Sequence, residues 1–541
     1  MKVICSYMCE YKDRDDYYMS LMPNGITSIA ALLEKKGYET VLANLSEYGW
    51  EKGVNITLEE KPDAAVVSIF SFNRTESLKY IRELKKKDPE IILIAGGQHP
   101  TFLSEELMEL YPEIDFIITG EGEKTVLELL DNIGDTESHR IFQGERIDDL
   151  DELPHPSGFG GKTIGVNPNE QYRYIITSRG CPNSCTYCSS PSFWGRRVSY
   201  RSPSDIIKEI KYSYEKHGII YFSIRDDNFT LKKERVLEFC EELRLSGLYI
   251  MWNCQARVDT VDEEMLLAMK RCGLEHIQYG VESGSEKILK KYDKSITTAK
   301  IVETAAVTRK LGIYMSFYLM AGMPDETPDD VNATIKLIKK TLPHDVMVSP
   351  VAYYPGTDIY KCAKERGEIS DSEWFKKHDS GIYLIDLKKT TPWMQKILEE
   401  AEKISDNARY TLKDFKAHRK ICGDDCWMTD IMEGDHLFEE EEFEKAAELY
   451  NKVIVNNHEN IWGHLRLAEA EYIDSPENAI EHLLKASGIA PNYYGAWLRL
   501  AQIEYETENY KRALIYAKQA KELNPRDPDI EEIMKLLDAK A

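Results

Sequence analysis

The chain has 541 residues, enough for three or four domains of roughly 150 residues, each able to bury a core without disulfide staples. With 42% hydrophobic and 30% charged residues it has the make-up of a folded protein, which excludes disordered and collagen-like classes. Lys plus Arg number 69 against 93 Asp plus Glu, and a net charge of −24 opposes unaided binding to nucleic acid or anionic lipid.

Short apolar runs at Lys2 to Met8, Glu39 to Leu45, Asp63 to Phe70, Ile91 to Gly97 and Ile114 to Gly120 predict strands. Helical patterns at Gly25 to Lys36, Glu76 to Lys87 and Glu105 to Leu110 lie between them. This alternation predicts an α/β unit over residues 1–135, a doubly wound parallel sheet that binds ligands at the carboxyl ends of its strands. Residues 136–171 are polar, rich in Gly, Pro and Asp, and predict a linker. Six further apolar runs follow, Tyr174 to Thr177, Ile219 to Ile224, Tyr249 to Cys254, His276 to Val281, Tyr314 to Met320 and Val346 to Tyr354. They predict a partial, six-unit version of the eight-unit β/α barrel over 172–375, with its active residues at the carboxyl ends of the strands.

Residues 376–430 read as a helical appendage, and 431–541 repeat. Ala446, Ala479 and Ala513 stand 33 and 34 apart, Ala486 and Pro491 recur 34 later as Ala520 and Pro525, and Leu465 and Ala468 recur as Leu498 and Ala501. That period, with small residues where paired helices cross, matches the all-α tetratricopeptide repeat, a module that docks a protein partner or shields a neighbouring domain. The longest nearly apolar run, Leu311 to Met323, is too short to cross a bilayer, and Met1 to Cys9 runs directly into the charged stretch Glu10 to Asp16, with no room for a secretory signal. A cytoplasmic protein is expected, in which eleven cysteines serve as metal ligands, core residues or catalysts.

The stretch Thr177-Ser178-Arg179-Gly180-Cys181-Pro182-Asn183-Ser184-Cys185-Thr186-Tyr187-Cys188 puts three soft ligands in one loop after the first barrel strand. Such spacing suits an iron–sulfur cluster or zinc. Zinc wants a fourth ligand nearby, and no Cys or His follows Cys188 until His217. Three thiolates hold three irons of a cubane and leave the fourth open.

This triplet, with Tyr187 before its last cysteine, resembles the radical S-adenosylmethionine enzymes. The resemblance implies a 4Fe–4S cluster on Cys181, Cys185 and Cys188 whose open iron chelates S-adenosylmethionine, an adenosyl radical as the reactive species, and an electron donor such as flavodoxin or ferredoxin. Arg225-Asp226-Asp227-Asn228-Phe229 departs from the Gly-Gly-Glu common in the family and resembles its cobalamin-dependent branch. Asp226, Asp227 and Asn228 would face the ammonium of S-adenosylmethionine; helix capping is the structural alternative. Arg257 would pair the methionyl carboxylate, and Glu282 with Ser283 would hold ribose or amino groups, the alternative being an ion pair inside the barrel. Gly322-Met323-Pro324 resembles the glycine turn beside the adenine.

Ahead of the barrel, Asn24-Gly25, Ser68, Gly96-Gly97 and Gly120-Glu121-Gly122 at strand or helix ends resemble a cobalamin-binding domain fused to radical enzymes. No histidine precedes His99, so the lower cobalt ligand of mutase-type domains is missing. The resemblance implies a C-methyltransferase acting on an unactivated carbon of a small molecule or peptide. Alternatives are a cyclase or rearrangement enzyme like the magnesium-protoporphyrin ester cyclase, a radical enzyme whose first domain binds no cobalamin, and a tetratricopeptide adaptor with a vestigial barrel. Cys5 and Cys9 read as core or loop thiols. Cys422 and Cys426 cannot complete a cluster alone; joining Cys254, Cys272 or Cys362 in an auxiliary cluster is the alternative to buried free thiols.

Overall fold

The computed structural model describes residues 1–9, 21–133, 139–376 and 385–540. Its first sheet has seven parallel strands, β1 (Lys2–Tyr7), β2 (Glu39–Asn44), β3 (Ala64–Ser68), β4 (Ile92–Gly96), β5 (Phe116–Thr119), β6 (Ile141–Gln143) and β7 (Lys162–Ile164), in the order β6-β5-β4-β3-β1-β2-β7. The central strands are Val, Ile and Ala runs buried on both faces, as a sheet covered by helices on each side requires. Chain order reverses beside β1, which opens a crevice at the carboxyl ends of β1 and β3.

The linker expectation needs revision. Its residues supply both edge strands, β6 beside β5 and β7 beside β2, so the stretch completes the sheet as well as connecting the two halves. Each edge strand is three residues long, too short for an alternation to be read from sequence, and its pairing is set by the neighbour it meets. Gly161 and Gly165 permit the approach, because a Cβ at Gly165 would stand 2.0 Å from the Asn44 carbonyl oxygen.

The second sheet has six parallel strands, β8 (Tyr174–Ile175), β9 (Tyr221–Ile224), β10 (Met251–Ala256), β11 (Leu274–Glu282), β12 (Tyr314–Ala321) and β13 (Asp345–Pro350), paired strictly in sequence order. Sequential parallel pairing with a helix between strands is the open barrel expected. Phe229, Phe239 and Trp252 pack edge to face behind it, 5.5–5.7 Å apart, and hold the helix after β9 against the sheet.

The appendage is built from helices Leu387–Glu402 and Leu412–Cys422. Three helix pairs then follow, Trp427–Glu439 with Phe443–Asn456, Ile461–Tyr472 with Pro476–Ile489, and Tyr494–Glu506 with Tyr510–Leu523, closed by Pro528–Asp538. The repeating Ala446, Ala479, Ala486, Ala513 and Ala520 are wholly buried at the crossings. The repeats are bolted to both sheets' domains: Asn457 donates to Tyr249, Asn492 to the Glu215 carbonyl, Asn167 to Asn524, and Arg526 pairs with Glu47. Among the described residues no helix is long and apolar enough to cross a membrane.

Candidate functional site

The loop after β8 is held before its first cysteine. Thr177 has every polar group engaged: its amide and hydroxyl donate to the Asp226 carboxylate at 2.6 Å each, and its carbonyl accepts from Arg235 at 2.7 Å and from the Arg201 amide at 3.0 Å. Ser178 gives Asp226 a third hydrogen bond, also 2.6 Å. Gly180 then turns with φ +98, where a Cβ would stand 2.2 Å from the Arg197 carbonyl oxygen, so only glycine passes. Cys181, Cys185 and Cys188 follow on a segment pinned by Thr186, whose amide donates to Tyr292 and whose carbonyl accepts from Ile359.

Nitrogen donors of two side chains and the Tyr187 hydroxyl reach the sulfurs. The Asn183 amide lies 3.2 Å from Cys181 Sγ, and the Arg257 guanidinium 3.8 Å from Cys185 Sγ. Both are N–H groups placed where a sulfur can accept. Burial pushes the Cys188 thiol up to about 12, with Asp227 and the other two cysteines adding to the rise, so a metal has to displace the proton. Among the described residues no three His, Cys, Asp or Glu side chains converge as for a single metal ion.

Cys188 and Gly180 open onto a cavity of about 370 Å³ between the two sheets. Its opposite wall is the row of strand ends of the first sheet: Ser68, Gly96, Gly97, Gly120, Glu121 and Gly122, with Asn24 and Gly25 at the start of helix Asn24–Lys35. A Cβ at Gly25 or Gly120 would meet nothing within 4 Å, while Gly97, at φ +104, has Ile69 O 2.7 Å from that position. Backbone is thus exposed along the floor, and Ile26, Ile29, Phe70, Phe193 and Trp194 make apolar sides. A broad, flat group with an apolar rim fits such a cradle. Among the described residues no histidine lines the cavity. His99 is wholly buried elsewhere, bonded to Ser71 at 3.0 Å, packed on Trp374, and held neutral at about 3 by burial.

Several expected contacts turn out differently. Asp226 is wholly buried and spends its carboxylate on Thr177 and Ser178, and it caps no helix. Asp227 does face the cavity; the surrounding protein dehydrates it and raises its carboxyl, Asp226 adds a second negative charge, and Ser190 donates to it at 2.6 Å. Asn228 is buried with its oxygen accepting from Thr230, Thr260 and the Arg257 amide, and its Nδ2 has no partner. Arg257 forks onto Asp259 with two bonds of 2.9 Å, the ion pair weighed as the alternative. Glu282 sits at φ +67 where β11 bulges, paired with Lys294 at 2.8 Å, and Ser283 is buried against Thr334.

The Gly322 turn is filled on the side where a Cβ would point. A Cβ there would stand 2.1 Å from Thr390 Oγ1, and the amides of Gly322 and Met323 both donate to Glu326, so the glycine serves the approach of helix Leu387–Glu402. Met323 is buried and Pro324 accepts from the Tyr292 hydroxyl. Glu121 lines the cavity, but its two oxygens go to Arg179 at 3.1 Å and the Ile147 amide at 2.8 Å. Tyr187 packs with Met323, Tyr292 and Tyr353, its buried hydroxyl beside Cys185.

Sequence reasoning passed over Arg179. It is buried between Glu121 and Glu123, 3.1 and 2.6 Å away, and ties the first domain to the cysteine loop. Its place two residues before Cys181 was a usable signal; nothing local marked Phe193, Trp194 or Ser190 as cavity residues.

Family models match two parts of the chain: the B12 binding domain over residues 15–130 and the Radical SAM superfamily over 175–338. An uncharacterized methyltransferase of Pyrococcus horikoshii is 27% identical over 403 residues, 70% of this chain and 86% of the relative. The anaerobic magnesium-protoporphyrin IX monomethyl ester cyclase of Rubrivivax gelatinosus is 24% identical, covering 65% of this chain and 68% of the relative. Among solved structures, the radical S-adenosylmethionine methyltransferase TsrM of Kitasatospora setae with cobalamin and a 4Fe-4S cluster bound superposes with a TM-score of 0.57 at 18% identity, over 67% of this chain and 79% of that one, a likeness of fold.

Proposed function

Because the chain carries a radical SAM domain behind a B12 binding domain, we propose that it is a cobalamin-dependent radical S-adenosylmethionine enzyme that methylates an unactivated carbon. The observation that carries this reading is the shared cavity, with Cys188 on one wall and the glycine-floored strand ends on the other. When bound, the cluster, S-adenosylmethionine and cobalamin would supply one-electron cleavage chemistry and a transferable methyl group.

In this reading Cys181, Cys185 and Cys188 hold the cluster, with Asn183 and Arg257 stabilising the charge on its sulfurs. The floor formed by Gly96, Gly97, Gly120 and Gly122 would cradle the corrin. For S-adenosylmethionine the available groups are the unpartnered Asn228 amide and, with one oxygen held by Lys294, Glu282. Asp226 and Arg179 keep the cysteine loop in register with the first sheet, and the apolar cavity sides exclude water from reactive species. An electron donor protein and a small-molecule substrate complete the scheme. Ring closure is the second reading, supported by the cyclase relatives.

The test is anaerobic reconstitution of the full chain with iron, sulfide and hydroxocobalamin, followed by incubation with methyl-labelled S-adenosylmethionine, a reductant and cell extract. Expected are stoichiometric cobalamin, 5′-deoxyadenosine formation, and label in a product. Cobalamin that does not co-elute overturns the cobalamin assignment. A product of lower hydrogen content without label favours ring closure.

A further inference from the structure

At the opposite end of the barrel from the cysteine loop, a second group of thiols surrounds a buried cation. Cys422 ends helix Leu412–Cys422 and Cys426 stands immediately before helix Trp427–Glu439; both are buried, and their thiols are in hydrogen-bond contact. Lys270 is 1% exposed beside them. Its ammonium donates to the Gly312 carbonyl at 2.7 Å and contacts Met432 Sδ at 2.5 Å. Cys422 in turn reaches the Leu311 carbonyl at 3.5 Å, so thiol and ammonium fasten the appendage to the same turn before β12. Cys426 also lines a cavity of about 490 Å³ with Tyr249, Arg271, Trp427, Cys240 and Cys272, which gives a small oxidant a route to it.

A buried ammonium needs a negative partner. The groups whose charge acts most on Lys270 are Cys426 and Cys422, ahead of Glu275. The hydrogen bond from Cys422, with Lys270 and Thr429 adding to it, lowers the Cys426 thiol against its burial, while Cys422 is raised. Two buried thiols in contact beside a lysine are placed so that one can lose its proton and the other can resolve the product, the arrangement that reacts with peroxides. By contrast, burial and the neighbouring Cys272 thiol push Cys240 upward, leaving it protonated.

We propose that Cys422 and Cys426, with Lys270 as counter-ion, form a redox-active dithiol that a hydroperoxide converts reversibly to a disulfide. The Cys426 thiolate attacks one peroxide oxygen, the O–O bond breaks, and a sulfenic acid and hydroxide result. Cys422 then displaces the sulfenic oxygen as water, forming the S–S bond. Overall two thiols lose two electrons and two protons, and hydrogen peroxide is reduced to two waters.

Both cysteines fall in one tryptic peptide, residues 421–445. The full-length chain, purified without air, is titrated with hydrogen peroxide, denatured, alkylated and digested. The expected result is that this peptide becomes two hydrogens lighter and takes no alkyl group while Cys240, Cys254 and Cys272 still alkylate, and that dithiothreitol reverses the change. Lys270→Met should slow the bridging about tenfold by lowering the thiolate fraction. Cys422→Ser should leave a Cys426 sulfenic acid that dimedone traps. The proposal is overturned if the peptide stays doubly alkylated while exposed Cys362 oxidises, if one sulfur gains two oxygens without bridging, or if the pair retains zinc through purification. The wild-type mass shift decides the matter even where a variant fails to fold.

Discussion

Replacing Asp226 separates two roles a buried acid could have at this position. Its carboxylate accepts three hydrogen bonds of 2.6 Å, all from the two residues that lead into Arg179 and the first cysteine. Hydrogen bonds to a charged group contribute about 1.5–3 kcal/mol each, and a donor left buried and unpaired costs about 1–3 kcal/mol. Asp226→Ala strands all three donors. Allowing for relaxation, it should cost about 3–5 kcal/mol, the scale of breaking a buried charged network. Asp226→Asn keeps the shape and part of the acceptor capacity, and should cost about 2–4 kcal/mol because its amide now opposes a donor. The assay measures iron retained after reconstitution, the urea midpoint of the transition that releases it, and S-adenosylmethionine binding by equilibrium dialysis. Iron retention and midpoint should fall together in both variants. Full iron, an unmoved midpoint and a selective loss of S-adenosylmethionine binding would refute the bracing role and restore the acid as a ligand.

Other outcomes follow from the same geometry. Arg179→Gln leaves Glu121 and Glu123 buried without their cation and should lower stability by about 3–5 kcal/mol, with Glu121→Gln and Glu123→Gln together restoring part of the loss in thermal melts. Gly97→Ala adds a Cβ 2.7 Å from the Ile69 oxygen at φ +104 and should reduce the cobalamin that co-elutes with the chain on gel filtration, while iron content stays at the wild-type level. Burial holds His99 and His344 at about 3 and His276 and His418 at about 4. Since these folded values lie below the ordinary 6.5, the unfolded chain binds more protons in between: stability is whole above pH 6.5 and falls toward pH 4, by about 1.4 kcal/mol per unit for each histidine. His99→Gln should flatten the dependence of the urea midpoint on pH over that window by one proton's worth, and an unchanged slope would show His99 already protonated in the fold.

The spacing of Cys181, Cys185 and Cys188, the strand runs of both sheets and the alanine period of the repeats were legible because each is a local pattern. A strand buried on both faces is written as a continuous apolar run, and a helix crossing is written as a small residue at a fixed interval. Glycines at Gly96, Gly97, Gly120 and Gly122 were readable for the same reason, since a strand end that must expose backbone has no side chain to offer. Only the tertiary structure decided which long-range partner each polar side chain takes. Asp226 reaches back 49 residues to Thr177, Arg257 closes on Asp259 although Cys185 lies within reach, and Gly322 admits the close approach of Thr390. The edge strands Ile141–Gln143 and Lys162–Ile164 belong with these, because three residues carry no period and acquire their conformation from the strand they pair with. A carboxylate or guanidinium has several acceptable partners of equal chemistry, and the one it meets is chosen by the packing of apolar cores far away in the chain.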